Sequence, residues 1–518
     1  MQHLKSADEY LKQASLYQLG FLPTEQQHPW SRGLSEWAKS DLKKATDVFY
    51  NIDLHMLHVL QSETRKVREV HRAVNRCWKN GGRVFVGGCG ATGRLALEVE
   101  SLFRKKYPLR INHMQSFMAG GDIALVHSLE GFEDYPEYGA RHLRQLGFSE
   151  NDLFIGVTEG GETPFVIGAT LEAAQTSQYP ALFLHTNPSG LLKSELPRCQ
   201  NVFRSPNVMN YEFCVGPMAL SGSTRLQSST LLMAVLGLSV LCESELEIEK
   251  NILELLSFHK RNNYDRLQSL IQWESHIYKQ KQLVHYLVDP EIAITIFTDT
   301  TERSPTFYLK SFEHDFGVAT QPSWSFVGVI GCFSKIAAWQ MFLGRSPIQL
   351  QWSDIDECTS ETYLKNFDFS EHSLKKRVAA LSSHRVNPVH WKLQGSHLLI
   401  QVEHMQWDWL LPQQSNFLQH LVIKMWINCH STLVMGRLNR YQSNVMTWVK
   451  PSNGKLIDRA CRYIILLAKE QGENISYQDA VMVLFKVTNE SSNKDHAPVL
   501  KALEALNLKI EHPIQNVS

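Results

Sequence analysis

The sequence lacks most of the features that assign a function at a glance. It carries no excess charge: 52 Lys and Arg balance 52 Asp and Glu, for a formal net charge of zero. That excludes field-driven attraction to nucleic acid or to an acidic membrane. No hydrophobic run reaches bilayer length; the longest, residues 231–242, is about half of what a span requires and reads as a buried helix. The first residues, MQHLKSADEYLKQASLYQ, are polar and amphipathic, without the apolar core of a secretory signal. The nine cysteines form no CxxC pair, the pattern of reduced thiols in a cytoplasmic protein. No HExxH or similar motif occurs and the histidines are dispersed, so neither a metal site nor a metal cofactor is expected. Short-period repeats and low-complexity tracts are also absent.

What remains is an ordinary globular balance, 43% hydrophobic and 20% charged, spread over 518 residues. That length predicts two or three domains. Residues 1–65 are polar and helical, broken by Pro23 and Pro29, and form an N-terminal arm. Within residues 66–285, short β-type runs (RVFVGG, INHMQSFMAGG, LFIGV, ALFLHT, NVMNYEFCVG) alternate with helical patterns. This alternation predicts a parallel sheet wrapped by helices, trailed by a long helical stretch over 243–287. A second α/β set occupies 286–415, with strands expected at IAITIFTDT, FVGVIGCF and HLLIQVEH. Residues 416–518 are helical throughout and predict an all-α cap.

Three loops in the first set share one chemistry. After RVFV, residues 83–86, comes GGCGATGR, residues 87–94, and then Leu95, Val99, Leu102 and Phe103 at the spacing of a buried helix. A strand feeding a glycine turn and a helix brings unpaired amides and the positive end of the helix dipole together, which suits a phosphate. The second loop is Thr158-Glu159-Gly160-Gly161-Glu162-Thr163, after LFIGV and before Pro164. The third is Leu220-Ser221-Gly222-Ser223-Thr224-Arg225, leading into the apolar helix. Ligands of parallel sheets bind at the carboxyl ends of strands, where all three loops fall. Gly88, Gly90 and Gly93 also fit the G-x-G-x-x-G dinucleotide fingerprint. The acid that should end the next strand is missing from Arg110-Ile111-Asn112-His113-Met114-Gln115, and Asp122 comes late. An NAD(P)-dependent oxidoreductase is therefore an alternative, behind a sugar-phosphate site.

The motifs resemble those of the SIS (sugar isomerase) family, in the branch holding N-acetylmuramic acid 6-phosphate etherases and the glucokinase regulatory protein. Thr24-Glu25-Gln26-Gln27-His28-Pro29 is similar to a TExxNP arm, and residues 88–94 to GxGTSGR. Ala119-Gly120-Gly121 with Glu130-Gly131-Phe132-Glu133-Asp134 resembles AGG…EGxED, and Thr186-Asn187-Pro188 an NP turn. Gly216-Pro217 with Ser221-Gly222-Ser223-Thr224-Arg225 resembles GPE…GS(S/T)R, and NVMTWVKPSNGKLIDRA, residues 444–460, a cap-helix signature. The length resembles the tandem-SIS layout of the regulatory protein: two SIS modules of helix-flanked parallel sheets plus an all-α cap.

The resemblance implies sugar-phosphate contacts at Gly90, Ala91 and Thr92, at Thr158, Glu159 and Gly160, and at Ser223 and Thr224. Thr92 keeps the family's hydroxyl, Ala91 has lost one, and Gly160 stands where etherases have serine. Glu133 matches a carboxylate that touches the sugar and, in etherases, does acid–base chemistry. Lys424 of IKMWIN aligns with a cap lysine that reaches the ligand. Glu313 and His314 of KSFEHDFG resemble a Glu and a His reaching across from the second module, at a spacing two residues shorter. TERSPT, residues 301–306, reads as that module's own turn-to-helix loop, with Arg303 as an anion partner.

Ether cleavage needs two tuned acid–base groups. Where the etherase pattern has a carboxylate this chain has Leu102; Glu100 faces away by helical rotation, and Glu98, one turn back, is the available substitute. The acid after Gly-Pro is Met218, and the lysine of the third motif is Gln227. These losses point to a sugar-phosphate-binding regulator without a cofactor, more than to an enzyme. It would bind a phosphorylated hexose or amino sugar, such as fructose 6-phosphate, between the two modules. The resemblance further implies a protein partner such as a sugar kinase, and a monomer whose tandem modules form a pseudo-dimer. The alternative is an etherase-like lyase or a sugar-phosphate isomerase using Glu133, with Glu98 as a second group.

Overall fold

The computed structural model describes residues 6–129, 131–314, 322–449, 451, 453–490 and 497–510. Of the residues quoted above, 1–5, Glu130, Lys450, Ser452 and 315–317 of KSFEHDFG lie outside these.

Five strands, β1 (Val84–Gly88), β2 (Met114–Met118), β3 (Leu153–Val157), β4 (Ala181–His185) and β5 (Val208–Glu212), form an all-parallel sheet. Its order is β2-β1-β3-β4-β5. Strands β1, β3 and β4 are buried along their whole length, which is why they read as apolar runs without alternation. The order reverses between β1 and β3, so the first and second loops flank a topological switch point, the usual ligand crevice of such sheets.

The second module departs from the expected plan. Its sheet is mixed: β6 (Leu283–Val288) pairs in parallel with β7 (Ser325–Val329) and β8 (Val386–Gln394). An antiparallel meander, β8 to β9 (His397–Val402) to β10 (Met405–Leu410), completes it. IAITIFTDT is not a strand but part of the helix Ala293–Phe307. Its β-branched residues mimic a strand, yet Thr295, Asp299 and Arg303 follow the helical i, i+4 spacing and each finds a buried polar partner. TERSPT is therefore no loop but the end of this helix. Arg303, fully buried, is bound by Asp299 and Glu274 rather than left for a ligand. The strand that opens the module, β6, falls in the stretch expected to be helical.

Two buried helices pack against each other beside the first module. Gln227–Leu241 is buried throughout and, between its polar first turn and Ser239, apolar on every face. Gly237 lets it close on Phe417; a Cβ there would lie 2.0 Å from that ring. Asn416–Arg437, the expected start of the cap, is buried along nearly all its length and packs against the helices Gln268–Lys279, Ala293–Phe307 and Leu34–Ser40. Beyond it the described elements are three helices, Gly454–Glu470, Tyr477–Glu490 and Pro498–Ala505, and a two-stranded hairpin over 441–446. Among the described residues no helix is long and apolar enough to cross a membrane, and no cluster of His, Cys, Asp or Glu could hold a metal ion.

Candidate functional site

The three loops open onto one cavity of about 210 Å³. Gly90 and Ala91 of the first loop line it, as do Glu159, Gly160, Glu162 and Thr163 of the second and Gly222, Ser223, Thr224 and Arg225 of the third. Glu133 joins them, half-buried, with its carbonyl fixed by the Phe165 N–H at 3.0 Å. The remaining walls come from distant chain: Thr24 and Glu25 of the arm, Glu302 of the second module's helix, and Asn453, Lys455 and Arg459 of the cap.

The first loop is shaped by close packing. Cys89 caps the helix Gly90–Lys106, and Gly90 turns with φ +48°. A Cβ on Gly93 would lie 2.4 Å from the Met118 Cβ, so glycine there brings helix and β2 together. The amides of Gly90 and Ala91 begin the helix with no carbonyl of an earlier turn to bind. The Thr92 side chain does not face the cavity. Its hydroxyl accepts from the Cys89 N–H at 3.1 Å and donates to the Cys89 carbonyl at 2.8 Å. Thr158 behaves alike, with Oγ1 exchanging a hydrogen bond with Thr163 Oγ1 and accepting from the Gly161 N–H. These two hydroxyls build their loops. The Ser223 hydroxyl, by contrast, is buried at the cavity with no partner, which leaves its hydrogen-bonding capacity unused in the protein.

Charge on the wall is dense and mostly paired. Glu25 meets Arg459 and Arg462 of the cap. Burial alone would raise its carboxyl, yet the two guanidinium groups hold it down to about 2. Glu162 meets Lys455 and Arg198 in the same way and also lies at about 2, against the pull of burial. Glu302 bonds Arg94, which also caps the carbonyls of Ala124 and Leu125. Arg225 is clamped by Asp299, 2.7 Å away, and by Ser431 and Thr432 of the buried central helix. Arm, third loop and cap are further tied by Tyr463 donating to the Ser221 carbonyl and Ser221 donating to the Glu25 carbonyl.

Lys424 does not line this cavity. It stands behind it, in a void of about 10 Å³ lined also by Glu98, Asp299, Asn428, Ala91, Arg94, Arg225 and Glu302, the last four shared with the main cavity. Its ammonium donates to the Arg225 carbonyl and to Asn428, and burial lowers its pKa. Glu98 accepts from Thr295 at 2.5 Å; burial raises its carboxyl to about 7. Glu100 indeed turns away, bound by Arg104, Arg345 and the Ser116 N–H. Glu313 and His314 are not brought to the site. Glu313 braces the second module, accepting from Ser323 and Arg377, while His314 packs against Tyr363 and Phe367. Leu102, Met218 and Gln227 are buried outside the cavity wall, Gln227 bridging the Ala219 N–H and Asp53. Asp122, the late acid of the dinucleotide alternative, is engaged by Arg345.

Sequence reasoning missed Lys455, Arg459, Glu25 and Glu302 as wall residues. The signal was partly present: Lys455 and Arg459 are i, i+4 neighbours just after the helix cap Asn453, within the NGKLIDRA stretch. Glu302 carries no such signal, because TERSPT reads as a loop and only the helix Ala293–Phe307 turns it to the cavity.

The fold and this crevice define an α/β module with a ligand crevice at the switch point of a parallel sheet. Residues 66–175, within the first module, match the family model described as the glucokinase regulatory protein N-terminal SIS domain. Among curated proteins, the N-acetylmuramic acid 6-phosphate etherase of Salinibacter ruber is 32% identical over 218 residues, covering 42% of this chain and 65% of that protein. That of Clostridium acetobutylicum is 27% identical over 269 residues, covering 51% and 83%. The chain thus spans just under two thirds of the first of these relatives. Tagatose-6-phosphate ketose/aldose isomerase from Escherichia coli, a solved structure, matches with a TM-score of 0.39 and 10% identity, over 76% of this chain and 94% of that one.

Proposed function

We propose that the protein binds a phosphorylated sugar in the three-loop cavity and acts as a sugar-phosphate-responsive regulator. The observation carrying this reading is the convergence of residues 90–91, 159–163 and 222–225 on one cavity, with the Ser223 hydroxyl unpartnered in its wall. Helix-start amides, glycines and a free hydroxyl are what a phosphate ester uses. Relatives named for a 6-phosphorylated amino sugar support that ligand class; a ketose phosphate such as fructose 6-phosphate is the other member. Regulation is favoured by the walls, because arm, second module and cap all meet at the cavity, and a ligand moves their equilibrium by its differential affinity. The partner we propose is a sugar kinase, in keeping with the name of the matching family model. Binding of a purified sugar kinase, with and without the sugar phosphate, tests it: no ligand-dependent change removes the regulatory role.

A second reading, an etherase-like lyase or isomerase, is favoured by Glu133 lining the cavity. Incubation with sugar phosphates in deuterated water separates the two. Exchange beside the carbonyl that Glu133→Gln abolishes establishes catalysis, and binding without exchange supports the regulator.

A further inference from the structure

Three carboxylates of the cavity wall face a cation: Glu25, Glu162 and Glu302. Glu159 differs. It stands in the second loop between Thr158 and Gly160, 8% exposed, and its buried Oε1 has no hydrogen-bond partner. Among the described residues no Lys, Arg or His lies within ion-pair distance of it. Nor can the loop carry it away, since the Glu159 carbonyl accepts from both the N–H and the hydroxyl of Thr186, at 3.1 and 2.8 Å.

A charged carboxylate amid amides that cradle a phosphate dianion is a conflict of like charges in a poorly solvated place. A proton on the carboxyl removes the conflict and turns an acceptor into a donor. We propose that Glu159 is a hydrogen-bond donor of the sugar-phosphate site, protonated in the complex and giving its O–H to a phosphoryl oxygen. The proton comes from solvent when Glu159 is ionised before binding. The inference rests on the sugar-phosphate reading and specifies one of its contacts.

The surroundings agree. Burial pushes the Glu159 carboxyl up to about 8; its own backbone amide, Lys455 and Lys424 pull it down, and Glu302 across the cavity pushes it up. The other charged groups sharing the wall are Arg94, Glu133, Glu162, Arg225, Glu25 and Arg459, with Cys89, whose thiol burial raises well above its ordinary range. At neutral pH the acid form therefore prevails, and a bound dianion stabilises it further.

The test is calorimetric titration of fructose 6-phosphate and N-acetylglucosamine 6-phosphate, neither with an amine that titrates in this range, into the full chain and into Glu159→Gln, from pH 7.0 to 9.5. The ester is a dianion over this whole range. In the unmodified protein the dissociation constant of whichever binds should rise about 30-fold across the range, following deprotonation of a group near 8. In Glu159→Gln, whose amide donates at every pH, it should change by less than about threefold. At pH 9, titration in two buffers of different ionisation enthalpy should show uptake of about 0.9 proton per ligand by the unmodified protein. That measurement decides the matter even if the variant fails to fold. Binding with the same pH profile in both proteins, or without proton uptake, overturns the role of Glu159 and leaves the sugar-phosphate reading standing. Absence of binding by either ester at any pH overturns both.

Discussion

Lys455 of the cap and Glu162 of the second loop are joined by a 2.7 Å ion pair on the cavity wall, with the carboxylate 3% exposed. The pair fastens the cap helix Gly454–Glu470 to the first sheet's switch point. Lys455→Met leaves Glu162 buried with Arg198 alone. We expect a loss of about 1–3 kcal/mol in urea unfolding. Glu162→Gln in the same background should recover part of it, because the buried charge that lost one of its two cations is then gone. Additive losses in the double variant would show that the pair does not couple cap and loop.

Ser223 and Thr92 should respond differently, although both stand in loops of one chemistry. Ser223→Ala removes a hydroxyl with no partner in the protein, so sugar-phosphate affinity should fall by about 1–3 kcal/mol while the melting temperature holds. Thr92→Val removes the cap of the first loop and should cost about 1 kcal/mol of stability, with affinity following. Calorimetric binding together with thermal melts of both variants reads the contrast directly.

Gly90 is the position where backbone and ligand demands coincide. Its φ of +48° disfavours any side chain, while a Cβ would meet no protein atom within 4 Å because it points into open space. Gly90→Ala should cost about 1 kcal/mol of stability and reduce binding by a larger factor through intrusion on the phosphate's place. Titration of a hexose phosphate into this variant, against Gly147→Ala as a positive-φ control away from the site, separates the two effects.

Glu98 sets a pH dependence of stability. Its folded value near 7 lies above that of an unfolded glutamate, because burial disfavours the charge. The folded chain therefore holds a proton that the unfolded chain releases. The contribution is full below about pH 4 and declines as pH rises through about 7. Glu98→Gln should flatten the fall in stability over that window and leave the variant more stable at pH 8, by up to roughly 3 kcal/mol. Urea unfolding at pH 4, 6 and 8 checks the sign. An unchanged slope would mean that Glu98 does not hold the proton.

How much of this was legible in the sequence depended on how local the signal was. The first sheet's five strands and three loops were readable because apolar runs ending in glycine and hydroxyl turns encode themselves over a few residues. The helix Ala293–Phe307 was not: its β-branched residues read as a strand, and what makes it a helix is Arg225, Glu274 and Glu98 meeting its polar side chains from far along the chain. The lysine facing the cavity is Lys455, while Lys424, from the same helical region, faces the smaller void behind. Helical pattern alone does not tell which of two buried lysines points at a ligand. Thr92 and Thr158 stand in the right loops with their hydroxyls turned inward, a distinction of rotamer that spacing does not carry.

The proposed function stands or falls with one phosphate-ester site shared by the three loops. Thermal shift with paired ligands tests it most directly: fructose 6-phosphate and glucosamine 6-phosphate against their unphosphorylated sugars, with NAD(P)H as a further comparison. We predict a saturable rise in melting temperature, growing with the logarithm of ligand concentration, for a phosphorylated sugar alone. Equal shifts for the free sugars, a shift with NAD(P)H only, or none with either ester would contradict it.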